Sequence, residues 1–511
     1  MSTNLSDNNK RIAKNTLMLY VRMMFTMGVS LYTSRVVLNA LGIEDYGIYT
    51  VVGGIVSMIS FINGGLISAI QRYITFEIGQ NNIEKLKKVF TTSIQIILLI
   101  SFIIVLLGET IGLWFLNEKM VIPENRQYAA FWVFQCSIIT CIINFLSIPY
   151  NADIIAHERM SAFAYISIVE VILKLVIVFL LNVLKGDKLI IYAILVLSVQ
   201  IFIRFLYANY CRRKFTEARY RHSFDKGLFK DMISFTGWSF WGGLATVLST
   251  NGLDIMLNVF FGPIVNAARG ISVQVRSTIQ RFVSNFQTAI NPQITKNYAM
   301  GNISQMHNLM FKSARLSFFL LYLLALPVIL ETNFILELWL KIVPPDTVIF
   351  TQIMLINSLM FTVVNPCVIA NQATGKVKVY QALVGGTLLL IVPISYVVLK
   401  LGAPAYSVFI VQLGVDIVAQ IERMIILEKQ INLPIKNYFI YLYKPIIFVV
   451  IPSIILPICV HYQFEEGLLR FLLVGVSCVL SVTLFVLIFG LNKNERTFII
   501  NKFIQILKIK R

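Results

Sequence analysis

Apolar runs of about 20 residues recur from one end of the chain to the other, separated by short polar turns. Each run is long enough to cross roughly 30 Å of hydrocarbon as a helix. The pattern predicts an all-α, polytopic membrane protein of about fourteen spans. They lie at roughly 14–41, 46–76, 88–116, 127–150, 160–184, 189–210, 231–261, 264–295, 311–340, 348–371, 378–400, 403–427, 437–461 and 467–491. Residues 1–16 are polar and the first apolar run is too long for a signal sequence, so no cleavable leader is expected.

The turns alternate in charge. One set is rich in Lys and Arg: Lys10, Arg11 and Lys14, then Lys85, Lys87 and Lys88, then the segment 211–230, Lys296, Lys376, Lys429 and the tail. The intervening turns, such as GIEDYG, KGDK, FGPIVN and HYQFEEG, are poor in net positive charge. The positive-inside rule then predicts that both termini are cytoplasmic. The formal charge of +19 is a topology signal of this kind and does not point to nucleic acid. Basic residues of 211–230 and of the tail 497–511 are expected to rest on anionic membrane lipids.

Composition agrees with the pattern. The chain has 511 residues, 57% hydrophobic and 14% charged, too little charge to cover a soluble protein of this size. Of six cysteines, Cys136, Cys141, Cys367, Cys459 and Cys478 fall in apolar segments, and no spacing suggests metal ligands or a disulfide framework. The four histidines are scattered over turns and segment ends. No phosphate loop, zinc-protease motif or nucleophile elbow is present, so an enzyme, a cofactor and a metal are all unexpected.

Arginines inside the apolar segments carry the functional signal. Arg22 and Arg35 lie in the first span, Arg72 in the second, and Arg269, Arg276 and Arg281 in the eighth. An arginine at the bilayer centre costs roughly 2.5–3.5 kcal/mol on insertion scales, so such residues face a protein interior or a wet cavity. A basic cavity suits an anionic cargo. Span 8 carries Asn266, Arg269, Arg276, Gln280 and Gln287 at helical 3–4–7 spacing. Span 7 adds Asn251, Asp254 and Asn258 on one face, and span 1 adds Asn15, Thr26 and Thr33. Arg22 and Arg35 stand about 140° apart on an ideal helix; both line one cavity only if the helix bends, with Gly28 the place for it.

Plainer roles stand beside these. Arg35 could snorkel to the interface, and Arg269 could pair with Asp254 in a structural ion pair. Arg72 lies near a span end, and Arg281 is off the polar stripe of span 8. Glu170 and Lys174 are one turn apart and could neutralise each other, or Glu170 could couple transport to H+ or Na+. Asp416 in span 12 has the same two readings: ion coupling, or a hydrogen-bonded buried carboxyl.

The chain also repeats itself. Residues 19–82 align without a gap on 239–302, bringing Gly42 onto Gly262 and Ala69-Ile70 onto Ala289-Ile290. Glu109-Thr110 with Trp114 then matches Glu331-Thr332 with Trp339, and Pro149, Ala156 and Arg159 match Pro366, Ala373 and Lys376. Each copy holds six spans, an even number, so both enter from the same side. The expected organisation is an N-lobe (1–222) with a basic linker at 211–230, a C-lobe (223–430), and two further spans with a basic tail (431–511). In such parallel two-lobed transporters the cargo site is expected at the repeat interface.

The N-K-R-I-A-K-N-T entry to the first span, the turn Leu38–Tyr49 (LNALGIEDYGIY) and the L-E-L-W-L segment ending at Leu340 resemble a known family. It is the polysaccharide-transporter branch of the multidrug/oligosaccharidyl-lipid/polysaccharide (MOP) exporters, the Wzx-type flippases, and the likeness covers roughly residues 10–430. It implies export of an undecaprenyl-diphosphate-linked oligosaccharide across the bacterial inner membrane for surface polysaccharide. Polymerase or assembly proteins would be its partners. Lipid II flippases and cation-coupled multidrug exporters are the alternatives within the superfamily. A drug exporter would want acids in the first span, which has none. A membrane-bound polymerase or ligase would want a large outward loop, and every outward turn is short.

Overall fold

Local sequence chemistry sets where the helices begin and end. The computed structural model describes residues 2–42, 45–46, 48–49, 52, 62–118, 122–340, 343–493 and 495–497. The side chain of Arg35, most of the first half of the second predicted span and the tail from 498 lie outside the described residues. Fourteen long helices follow one another, and no strand occurs among the described residues. They are α1 (Ser2–Leu41), α2 (Ile62–Gln80), α3 (Ile83–Glu118), α4 (Glu124–Ala156), α5 (Met160–Val183), α6 (Lys188–Lys214) and α7 (Lys226–Phe261). The second half holds α8 (Pro263–Ala299), α9 (Ile303–Leu330), α10 (Thr347–Thr374), α11 (Val377–Lys400), α12 (Ser407–Ile431), α13 (Ile435–Gln463) and α14 (Leu468–Gly490).

Ten of these are long and apolar enough to cross a membrane. The other four are α1, α2, α8 and α12. All four carry intramembrane charges singled out above: Arg22 on α1, Arg72 on α2, Arg269 and Arg276 on α8, Asp416 on α12. At 37 and 25 residues, α8 and α12 are long enough to span at 1.5 Å per residue. What excludes them is their polar content, which is the content a cargo path needs.

Caps stop the helices where the sequence supplies them. Asn82 accepts the Lys85 N–H at 3.0 Å, and Asp187 accepts from Leu189 and Ile190 at 3.0 and 3.3 Å. Gly42 and Gly262, paired by the repeat, both take left-handed conformations, with φ of +83° and +80°. The pairing extends further than the sequence match. Asn81 and Gly301, and Glu158 and Gly375, are also matched residues with positive φ. Identity between the copies is low, yet the chain turns at the same places with the same hand.

The chain forms two compact units, Met1–Leu244 with Thr295–Gly301, and Ala245–Ile294 with Asn302–Arg511. The division thus falls inside α7, with the C-terminal end of α8 joining the first unit, whereas the sequence reading divides at the basic linker. The first unit has a core of Phe90, Phe134, Phe145 and many aliphatic residues. One end of it is tied by Arg126, which donates to Asp45 at 2.8 Å and to Asp187 at 2.6 Å. Burial pushes the Asp187 carboxyl up, but Arg126 and the two helix amides outweigh it and hold it below its ordinary range. These three acidic or mixed turns are ones the charge pattern puts on the outer side. At the other end the basic turns meet: Lys85 with Glu77 at 3.0 Å, Lys296 with Glu158 at 2.7 Å, and Lys88 with Asp225 at 3.6 Å. Charge alternation along the sequence has become two ends of a bundle.

In the second unit Phe350 and Phe409 pack edge to face with ring centroids 4.9 Å apart, inside a core shared by α7, α8, α10, α11 and α12. The last two helices are fastened to it by buried polar contacts. Glu331, 1% exposed, accepts from His461 at 2.8 Å and from Arg470 at 2.9 and 3.1 Å. Arg315 reaches Glu495 at 2.7 Å, and Tyr322 meets Ser453 at 3.2 Å.

Candidate functional site

Each unit carries its own cluster of intramembrane charges. In the first, α1 places Arg22 half-buried with its guanidinium 4.3 Å from the Phe163 ring of α5. Its Nε has no hydrogen-bond partner, while Glu170 and Tyr207 lie close enough to interact with it electrostatically. Glu170 accepts from Lys174 at 2.6 Å and from Gln200 at 3.0 Å. Two cations and one carboxylate leave this cluster with one net positive charge. The hydroxyls of Thr26 and Thr33 donate to Met23 and Val29 carbonyls of their own helix, and Asn15 is buried with its amide nitrogen unpartnered. Arg72 sits against aromatic rings, 4.6 Å from Tyr73 and 4.7 Å from Phe76, which is a packing role.

The second unit sorts the polar stripe of α8 into tied and free members. Arg269, 4% exposed, forms an ion pair with Asp254 and donates to the Thr250 carbonyl at 2.8 Å. The structural ion pair is therefore present, and it holds the α7–α8 turn. Gln287 is buried and donates to the Thr362 carbonyl at 3.0 Å. Asn251 and Asn258 are exposed. Arg276 and Gln280, half-buried, form no hydrogen bond or ion pair among the described residues. Arg276 feels one opposite charge, that of Asp416 on α12.

Sequence reasoning missed the rest of this cluster. Arg423, 4% exposed, also lies near Asp416 and donates through Nε to the Tyr380 hydroxyl at 3.1 Å. Glu422 accepts from Thr387 at 2.7 Å, and Gln420 donates to the Tyr438 hydroxyl at 3.1 Å. The signal was legible: Asp416, Gln420 and Arg423 stand at i, i+4 and i+7, one face of a helix. Arg276, Arg423 and Asp416 sum to one net positive charge, and Glu422, which is hydrogen-bonded to Thr387, brings the four together to zero.

Chemically, each cluster offers a guanidinium without a carboxylate partner in direct contact, beside one acid. Guanidinium in a low-dielectric site binds phosphate oxygens through two parallel N–H bonds. The two acids differ. Glu170 is committed to Lys174 and Gln200, whereas Asp416 forms no hydrogen bond or direct ion pair among the described residues. A carboxylate free of such commitments is the better placed to exchange a proton.

Comparison with known proteins follows the same lines. A family model described as polysaccharide biosynthesis protein matches residues 12–298. The fold is similar to that of MATE in the bent conformation, with TM-score 0.71 and 15% identity over 84% of this chain and 97% of that one. It is also similar to an outward-facing multidrug resistance MATE family transporter of the MOP superfamily, with TM-score 0.67 and 14% identity over 82% and 96%. A MOP superfamily transporter from Pyrococcus furiosus Vc1, for which reverse polarity of the binding pocket suggests a different function, aligns with TM-score 0.65 and 15% identity over 82% and 96%. At such identities the likeness is one of fold alone. No curated protein matches the chain in sequence.

Proposed function

This chain belongs to the polysaccharide biosynthesis protein family, and from that membership we propose that it flips an undecaprenyl-diphosphate-linked oligosaccharide across the bacterial inner membrane by alternating access. Its termini are then cytoplasmic and its product feeds surface polysaccharide assembly. The observation that carries the reading is a half-buried guanidinium in each unit, Arg22 and Arg276, that has no carboxylate in direct contact. A diphosphate is the part of such a cargo that needs them, since its charge is costly to desolvate without cationic partners. The multidrug reading suits a cationic cargo, which guanidiniums without a direct carboxylate partner would repel. The fold tolerates this difference, as the Pyrococcus transporter with its reverse-polarity pocket suggests.

The test replaces Arg22 and Arg276 in a deletion strain, at matched membrane levels, and follows leaflet-resolved labelling of the lipid-linked intermediate. Losing a charge-assisted contact of about 1.5–3 kcal/mol lowers transport by one to two decades in each alanine variant. Lys restores part of it, keeping the charge without the fork. Arg281→Ala, exposed and off the stripe, transports like the parent. Parental transport in both Arg22→Ala and Arg276→Ala would remove the anionic-cargo mechanism. Loss of peptidoglycan precursor export in the deletion strain would instead point to lipid II.

A further inference from the structure

Three ligand-type side chains that the transport reading does not use meet where the inter-lobe linker begins. Asp153 lies in the last turn of α4, His157 caps that helix, and Glu217 stands on the loop after α6. His157 Nε2 is 2.6 Å from Glu217 Oε1 and 3.6 Å from Asp153 Oδ1, and one ligand atom from each residue falls within 4.8 Å of the others. Asp153 and Glu217 are buried, at 0% and 3% exposure. No amide, hydroxyl or cationic donor reaches either oxygen of Asp153, and the hydrogen-bonding group it meets is the Glu217 carboxyl. A fully buried carboxyl set against a second carboxyl is an arrangement that proteins avoid unless something positive lies between them.

We propose that Asp153, His157 and Glu217 bind one divalent transition-metal ion of the zinc class, clipping the start of the linker to the end of α4. Two carboxylates and a neutral imidazole carry two negative charges, which one divalent ion cancels. The donor set suits such a metal, because imidazole and carboxylate oxygen bind it at about 2.0–2.2 Å. Two ligands on one tetrahedral ion then stand about 3.4 Å apart. The His157–Asp153 separation of 3.6 Å already fits, and the His157–Glu217 contact has to open by less than an ångström. The imidazole is held for the task by Phe215, stacked on it at 4.2 Å with planes 8° apart. Its partial exposure gives the ion a way in. A proton shared by the two carboxyls is the rival occupant, and titration with metal tells the two apart.

The purified full-length chain, in detergent and stripped with chelator, is titrated with Co2+ alone and with Zn2+ alone. One equivalent of Co2+ is expected, with visible d–d absorption, and Zn2+ should displace it and raise the melting temperature. His157→Ala and the near-isosteric Glu217→Gln should each weaken binding by more than about 100-fold, since even outer-shell changes cost 10–100-fold. His222→Ala, an exposed linker histidine, should bind like the parent. Absence of a saturable equivalent in the parent overturns the proposal, and so does binding that Glu217→Gln and His157→Ala leave unchanged.

Discussion

At Asp416 a single carboxylate decides the charge of a buried cluster. Protonation of Asp416 raises the charge of the group it forms with Arg276, Arg423 and Glu422 by one, from zero to plus one. An anionic cargo therefore binds better when Asp416 holds a proton, and by linkage cargo binding favours proton uptake. Asp416→Asn fixes the higher charge. Transport measured across the neutral pH range should lose its pH dependence in that variant while affinity for the anionic cargo stays at the protonated parent's level. An unchanged pH profile would place coupling elsewhere. Glu170 is the weaker candidate because Lys174 and Gln200 already satisfy it. The same logic sorts the arginines: Arg269, tied to Asp254, is a structural residue, while Arg276 is free to meet a ligand.

Among the elements, the turn between α7 and α8 shows why the repeat survives at low identity. Gly262 has φ of +80°, a conformation that costs an L residue roughly 1–2 kcal/mol. A methyl group there meets open space, so Gly262→Ala should lose about that much through the backbone alone. Gly270, in helical conformation within α8 with equally open surroundings, is the contrast. Gly270→Ala should gain up to about 1 kcal/mol. Thermal melting of the two variants beside the parent reads both signs. The matched turn glycines and polar residues with positive φ are therefore constraints of geometry. Side chains facing lipid are free to drift between copies, because any apolar residue serves there.

For the whole molecule, the last two helices are more than an appendage to the repeat. Glu331 is buried and answers Arg470 and His461, both from the extra pair, while its repeat counterpart Glu109 is exposed and has Gln135 at 3.2 Å. Glu331→Ala should destabilise the chain by about 3–5 kcal/mol, the usual cost of leaving buried charges unpaired. Glu331→Gln should fall between it and the parent. A chain ended near Gln430 leaves both Glu331 and Arg315 without their partners, so its loss of function would report lost stability. Equal melting temperatures for Glu331→Ala and the parent would show the clamp to be without weight.

The sequence by itself determined the class and the places where the chain turns, because these rest on local rules. Hydrocarbon thickness sets run length, and turns demand glycine or asparagine. It also marked which helices are too polar to be mere spans. It did not determine which polar residues are free. Whether Arg269 meets Asp254, whether Asp416 meets Arg276, and whether Asp153, His157 and Glu217 converge across 60 residues depend on how helices rotate and pack. Those contacts are non-local, and a helix face in sequence says nothing of its neighbour. The tertiary structure alone separated the arginines tied to a carboxylate from those without one in direct contact.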